Sequence, residues 1–115
     1  IYEHYNVHIL NSQDFFLKKM QTTKTIEGIL SECIKKLNNK GLRRDALKKN
    51  LSLKGNSTRF DSLALTTLLI NIEEKFNKKY KKNLSLLDEF INNDEIKKIN
   101  DLRFFLNEKV NEKKK

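Results

Sequence analysis

One serine in this 115-residue chain stands where a hydroxyl could do chemistry. Ser62 lies between Asp61 and Leu63, at the start of the amphipathic run RFDSLALTTLLINIEEKF that extends from Arg59 to Phe76. A serine nucleophile needs a general base within hydrogen-bond reach, and the tight elbow that exposes such a residue carries glycines on both sides. Here the flanks are Phe60-Asp61 and Leu63-Ala64, and the two histidines, His4 and His8, belong to a distant N-terminal segment. The pattern argues against a hydrolase, and no catalytic residue is assigned. What remains for Ser62 is a role as a site acted on by another enzyme. A serine in the first turn of a helix holds its hydroxyl off the packed stripe, beside unpaired N–H groups and the positive end of the helix dipole. A phosphodiester attached there is electrostatically favoured. A helix start capped by Asp61, with no further role for Ser62, accounts for the same residues.

Other candidate chemistry is thinner. His4 and His8 are one helical turn apart if their segment is helical, a spacing that can put two imidazoles on one ion, but no second pair of ligands accompanies them. No metal site is assigned. Gly28, Gly41 and Gly55 are too scattered to cradle a phosphate. The one cysteine, Cys33, excludes an internal disulfide and fits a reducing compartment as a core residue.

Charge is lopsided, with 24 Lys and Arg against 15 Asp and Glu, a formal net charge of +9. Between Lys35 and Arg59 there are nine basic residues (Lys35, Lys36, Lys40, Arg43, Arg44, Lys48, Lys49, Lys54, Arg59) and one acidic residue, Asp45. Such a patch attracts polyanions, although a compositional bias toward Lys, Asn and Ile would produce the same excess. No aromatic residue interleaves it, so the stacking and groove-reading features of specific nucleic-acid binders are missing. No apolar stretch is long enough to span a bilayer, and the first residues lack the marks of a secretory signal. The expectation is a cytoplasmic protein without a transmembrane segment.

The elements that must position Ser62 follow from periodicity. With no Pro and only 3 Gly, the composition favours helix almost everywhere, and the fold class is all-α. Ile26, Ile29, Leu30, Cys33, Ile34 and Leu37 predict a first helix from about Thr25 to Asn39. Residues 41–60 read as a long loop, pinned by Leu51, Leu53 and Phe60, with a turn-rich cluster at Gly55, Asn56, Ser57 and Thr58 and a possible helical turn at Leu42, Ala46 and Leu47. A second helix runs from Ser62 to about Lys79 with Leu65, Leu68, Leu69, Ile72 and Phe76 on one face. A short helix follows near Ser85 to Ile91, and a last one opens at an Asn100 cap and carries Leu102, Phe105, Leu106 and Val110. The domain therefore spans residues 25–110, between an N-terminal arm of uncertain role (1–24, in which Tyr5, Val7 and Ile9 alternate weakly and Met20 is a candidate natural start) and a solvated basic tail (111–115).

Asp61-Ser62-Leu63, followed by Leu68, Ile72, Glu73, Glu74 and Phe76 in unbroken register, resembles the attachment segment of acyl carrier proteins, the phosphopantetheine-binding family. The resemblance covers roughly Thr25 to Val110 and includes the helix order and the Ile99-Asn100-Asp101-Leu102 opening of the last helix. It implies a four-helix acyl-carrier-like bundle with a long loop between helices one and two and a short third helix. It also implies that Ser62, flanked by Asp61 and Leu63, receives 4′-phosphopantetheine from coenzyme A, whose thiol then carries an acyl or aminoacyl thioester. The partners implied are a phosphopantetheinyl transferase, an acyl- or aminoacyl-loading ligase or transferase, and a downstream acyl-using enzyme. The chain itself would be a monomeric carrier and not an enzyme.

Departures from that pattern bear on the partners. Carriers of fatty-acid synthesis show acidic residues along the attachment helix, whereas this chain has Ala64 and Thr67 near the serine and acidic residues only at Glu73 and Glu74. The extra residues NKKYKKNLSLLDEF resemble stand-alone carriers of specialised pathways that lengthen the connection to helix three. Leu63, Ile70, Glu73 and Glu74 are the docking candidates; Leu65 reads as core. Two alternatives compete with the carrier: a structural or interaction subunit that keeps the carrier fold without thioester chemistry, and a basic helical module for nucleic acid or anionic membrane. The cargo is not legible, because in carriers it hangs far from the backbone.

Overall fold

The computed structural model describes residues 24–112. The arm at residues 1–23, with its alternation, the His4 and His8 pair and Met20, and the last three residues of the tail lie outside the described residues. Those described form five helices and no strand, in agreement with the all-α expectation. The helices are α1 (residues 24–35), α2 (Lys40–Asp45), α3 (Ser62–Tyr80), α4 (Leu86–Asn92) and α5 (Ile99–Asn111).

The apolar stripe of α1 is buried throughout, from Ile26 to Leu37. The helix nevertheless ends near residue 35, short of the expected Asn39. Tight bonds from Lys36 N to Cys33 O (3.2 Å) and from Leu37 N to Ile34 O (3.0 Å) close its last turn. Asn39 does not end α1; its side chain caps α2, accepting from Leu42 N at 3.0 Å. That cap starts a helix inside the expected loop, and Leu42 and Ala46 anchor it in the core. Arg43 reaches back and donates from Nη1 to Leu37 O at 3.0 Å, which satisfies a carbonyl just past the end of α1.

The chain from residue 46 to 60 is irregular but tied down. Leu53 and Phe60 are buried, and Leu51 packs against the core half-exposed. Leu53 N donates to Lys97 O (2.7 Å) and Ile99 N to Leu51 O (3.1 Å), a single antiparallel bridge to the segment entering α5. Lys54 adds a bond from Nζ to Asn93 O at 2.9 Å and sits 4.5 Å from the Phe90 ring centre. Gly55 holds φ +84°, a left-handed conformation that glycine adopts without steric cost, and it makes the expected turn.

α3 buries Leu68, Leu69, Ile72 and Phe76 completely, at the three and four residue steps of one helical face. Leu65 is half-buried against that core. α4 packs on α3, and the connection between them is fixed by side chains of α3. Asn77 bonds both the N–H and the carbonyl of Leu84 (2.9 Å each), and Glu73 Oε1 accepts from Leu86 N at 2.7 Å. α1 is joined to α3 by Lys75 and Glu32 at 3.1 Å and to α5 by Arg103 and Glu27. The first turn of α5 is capped by Asp101, which accepts from Lys97 N and Lys98 N at 3.0 Å each. Asn100, the expected cap, is already inside the helix, and its backbone N–H donates to Asn50 Oδ1 at 2.8 Å.

Candidate functional site

Phe60 is buried and Leu68 is buried, so the backbone between them must leave the core, turn and begin α3 at the surface. Asp61 adopts extended backbone (φ −78°, ψ 171°), and its Oδ1 accepts from Ala64 N at 2.7 Å. Leu65 N to Asp61 O, at 2.9 Å, is the first bond of the helix. Asp61 thus supplies the cap that begins α3. Ser62 is the first helical residue, exposed, and among the described residues its hydroxyl makes no hydrogen bond. The hydroxyl sits at the positive end of a 19-residue helix, next to N–H groups that have no partner within it.

Leu63 is 77% exposed, and Ile70 is 40% exposed. Seven residues are two helical turns, so Leu63 and Ile70 share one face of α3. Glu74 is exposed further along the helix. Glu73 is half-buried and engaged in the bond to Leu86 N, which caps α4. Of the four docking candidates, three are therefore outward-facing and one contributes to the fold.

Beside the start of α3 lies a groove of about 220 Å³, bounded by the end of α1, the start of α2 and the first two turns of α3. Lys36, Asn39, Arg59, Asp61, Leu63 and Thr67 are among its lining residues. Arg59 is held there by Asp45, a buried carboxylate that it reaches at 2.8 Å. Arg44 at 3.3 Å and Lys49 at 3.7 Å face the same carboxylate. The hydrogen bond from Arg59 holds the Asp45 carboxyl below the usual carboxylate range, and it outweighs the opposing effect of desolvation.

Asp45 is the one acid among nine bases between Lys35 and Arg59, and the sequence signal that marks it is that isolation, which does not say which of the bases it pairs with. The structure also divides those nine bases. Arg43 and Lys54 bond backbone carbonyls, while Arg44, Lys49 and Arg59 face Asp45. Lys35, Lys36, Lys40 and Lys48 are exposed.

Cys33 is buried in the core, and burial pushes its thiol up to about 11. Among the described residues no group of three or more His, Cys, Asp or Glu is placed to hold a metal ion, and no helix is long and apolar enough to cross a membrane. The chain matches no protein-family model, and comparison with curated proteins and with solved structures likewise finds no match.

Proposed function

We propose that this chain is a carrier of the acyl-carrier type, modified on Ser62 with 4′-phosphopantetheine and itself without catalytic activity. The observation that carries this reading is the division of work between two adjacent residues. Asp61 makes the cap bond to Ala64 N, so the fold does not use the Ser62 hydroxyl, which is left exposed at the helix start. A plain capping serine would be expected to make that bond itself.

The surroundings of Ser62 fit the group on physical grounds. A phosphodiester on this hydroxyl would meet the free N–H groups and positive dipole of α3. Arg59 lines the adjoining groove and would add cationic character to that side. When bound, the group supplies a terminal thiol that holds an acyl or aminoacyl unit as a thioester. The chain presents that thiol to a loading ligase or transferase and then to an acyl-using enzyme, and tethering raises its effective concentration at each. α1, α3, α4 and α5 would form the acyl-carrier-like bundle, with α2 as an addition within the long loop.

Intact mass of the purified protein, before and after incubation with coenzyme A and a broad-specificity phosphopantetheinyl transferase, tests the reading. The expected result is a gain of one phosphopantetheine by the wild type and none by Ser62→Ala. No gain by a folded, helical wild type would overturn it in favour of a structural subunit or a basic module.

A further inference from the structure

A second groove, of about 270 Å³, runs along α5, and none of its lining residues belongs to α3 or to the groove beside Ser62. Buried Ile96 and half-buried Phe105 line it together with Phe104, a phenylalanine that is 67% exposed. Four acids, Glu95, Asp101, Glu108 and Glu112, share that lining with one base, Lys109. On a chain of net charge +9 this is a local reversal of sign. Lys109 shows how the groove treats a cation. Its Nζ lies 5.3 Å from the Phe105 ring centre and 2.9 Å from Glu112 Oε2, held between a ring and a carboxylate. Phe104 and Glu108 are neighbours one turn apart on α5, both exposed, and offer the same pair of groups. Among the described residues no cation lies over Phe104, and no base pairs with Glu108 or Glu95. Asp101 is already engaged in capping α5.

We propose that this groove docks a basic segment of a partner protein, in which an arginine stacks on Phe104 and pairs with Glu108 while an adjacent aliphatic side chain seats beside Ile96 and Phe105. The inference goes beyond the carrier reading and makes no use of Ser62. The chemistry of the groove selects that occupant. Its uncompensated carboxylates call for positive charge opposite them. They repel a nucleic-acid backbone or an anionic membrane, which the overall charge of the chain would otherwise draw in. A metal ion does not fit, because among the described residues no group of three or more His, Cys, Asp or Glu is placed to hold one. The exposed ring adds a flat apolar face, and a guanidinium is planar, weakly hydrated and able to stack on such a face while its N–H groups bond a carboxylate. A second copy of this chain is disfavoured, since it would bring together two molecules of net charge +9.

The probe is a synthetic peptide in which arginines flank a single leucine, titrated into the full unmodified chain and followed by amide and aromatic chemical shifts. Shifts are expected at Glu95, Ile96, the Phe104 ring and Glu108. Phe104→Ser is expected to weaken binding about tenfold, and Glu95→Gln combined with Glu108→Gln to weaken it about tenfold or more. All three residues are exposed, so the variants keep the wild-type helical spectrum, which is checked alongside. A peptide with lysine in place of arginine is expected to bind several-fold more weakly, and one with glutamine there not at all.

Absence of shifts at millimolar peptide, binding that ignores Phe104→Ser or the loss of arginine, or shifts centred on other acids such as Asp88 and Glu89 would overturn the proposal. In the chain without peptide, contacts between Phe104 and residues 1–23 would overturn it in favour of the chain's own arm. A molecular mass that rises with concentration, together with shifts at Glu95 and Glu108, would overturn it in favour of a second copy. The titration reads the same whether or not Ser62 accepts phosphopantetheine. Failure of the mass measurement therefore leaves this surface standing, and failure of the titration leaves the carrier reading standing.

Discussion

Arg59 Nη1 donates to Asp45 Oδ2 at 2.8 Å, linking the residue before the last buried anchor of the loop to the end of α2. Fourteen residues separate the two in sequence. The pair closes the irregular segment that delivers Ser62 to the surface, and it makes the position of α3's first turn depend on a buried charge. The folded-state value of Asp45 lies below its ordinary one, so its contribution to stability is whole above the ordinary aspartate value of about 3.9. That contribution is lost as the pH falls through the lower folded value. Asp45→Asn is expected to lower the urea midpoint at neutral pH, and the gap from wild type should close in strong acid. A gap that stays constant down to the lowest pH at which both remain folded would show that Asp45 acts through packing and not through its charge.

Asp61 and Ser62 should separate cleanly under mutation. Asp61→Ala removes the bond to Ala64 N and is expected to cost about 1 kcal/mol, while Asp61→Asn, which keeps an acceptor, should retain most of it. Ser62→Ala removes an exposed hydroxyl that the fold does not use, and its effect should stay within about 0.5 kcal/mol. Chemical denaturation of the three variants measures both. A loss at Ser62→Ala as large as that at Asp61→Ala would mean that the serine shares in the cap, and the case for its availability would weaken.

The residues that a sequence exposes and those it hides differ in a physical way here. The stripes of α1, α3 and α5 were legible because one helix face is buried over several turns, which repeats the same signal at Leu68, Leu69, Ile72 and Phe76. α2 showed only as a helical turn at Leu42, Ala46 and Leu47 within the expected loop, because a helix of six residues offers less than two turns of pattern, with Leu42 buried in it and Ala46 buried at its end. Asn39 illustrates a second limit. A cluster of asparagines marks a break between helices, but whether it ends one or caps the next depends on which N–H comes within reach, and here it is that of Leu42. The same ambiguity separated Asn100 from Asp101 at the start of α5, where the aspartate, three residues past the Lys98 cap position, is placed to accept from the N–H groups of Lys97 and Lys98. The bridge between Ser52 and Lys98 joins residues whose local sequence says nothing of pairing. At the site itself, Asp61 and Ser62 were found as a cap and a first-turn hydroxyl, whereas the groove needs three helices to exist.

Phe76 should be the most sensitive core position of α3. Its side chain is fully buried, and its ring centre lies 5.1 Å from that of Tyr80 at a tilt of 49°. Truncation leaves a cavity in a small domain where neighbouring leucines are already packed, so Phe76→Ala is expected to cost roughly 3–5 kcal/mol. That is a large share of the total for a domain of this size. Phe76→Leu should cost far less because most of the volume is kept. Denaturant midpoints for both variants test the assignment. A change near zero for Phe76→Ala would contradict its burial.

Cys33 offers a direct readout of how often the core opens. The thiolate is the reactive form, and a thiol pushed up to about 11 leaves only ~0.1% of it ionised near pH 8 even before access is considered. The side chain is also buried between apolar residues of α1, so a reagent must wait for local or global unfolding. Reaction with an aromatic disulfide reagent is therefore expected to be orders of magnitude slower in the native protein than in the denatured one. If global opening is the route, Phe76→Ala should accelerate the reaction by the same factor by which it raises the unfolded population, about tenfold for each ~1.4 kcal/mol of stability lost. Rapid native labelling that does not respond to Phe76→Ala would place Cys33 on a locally opening part of α1. The core around that helix would then be looser than its buried stripe requires.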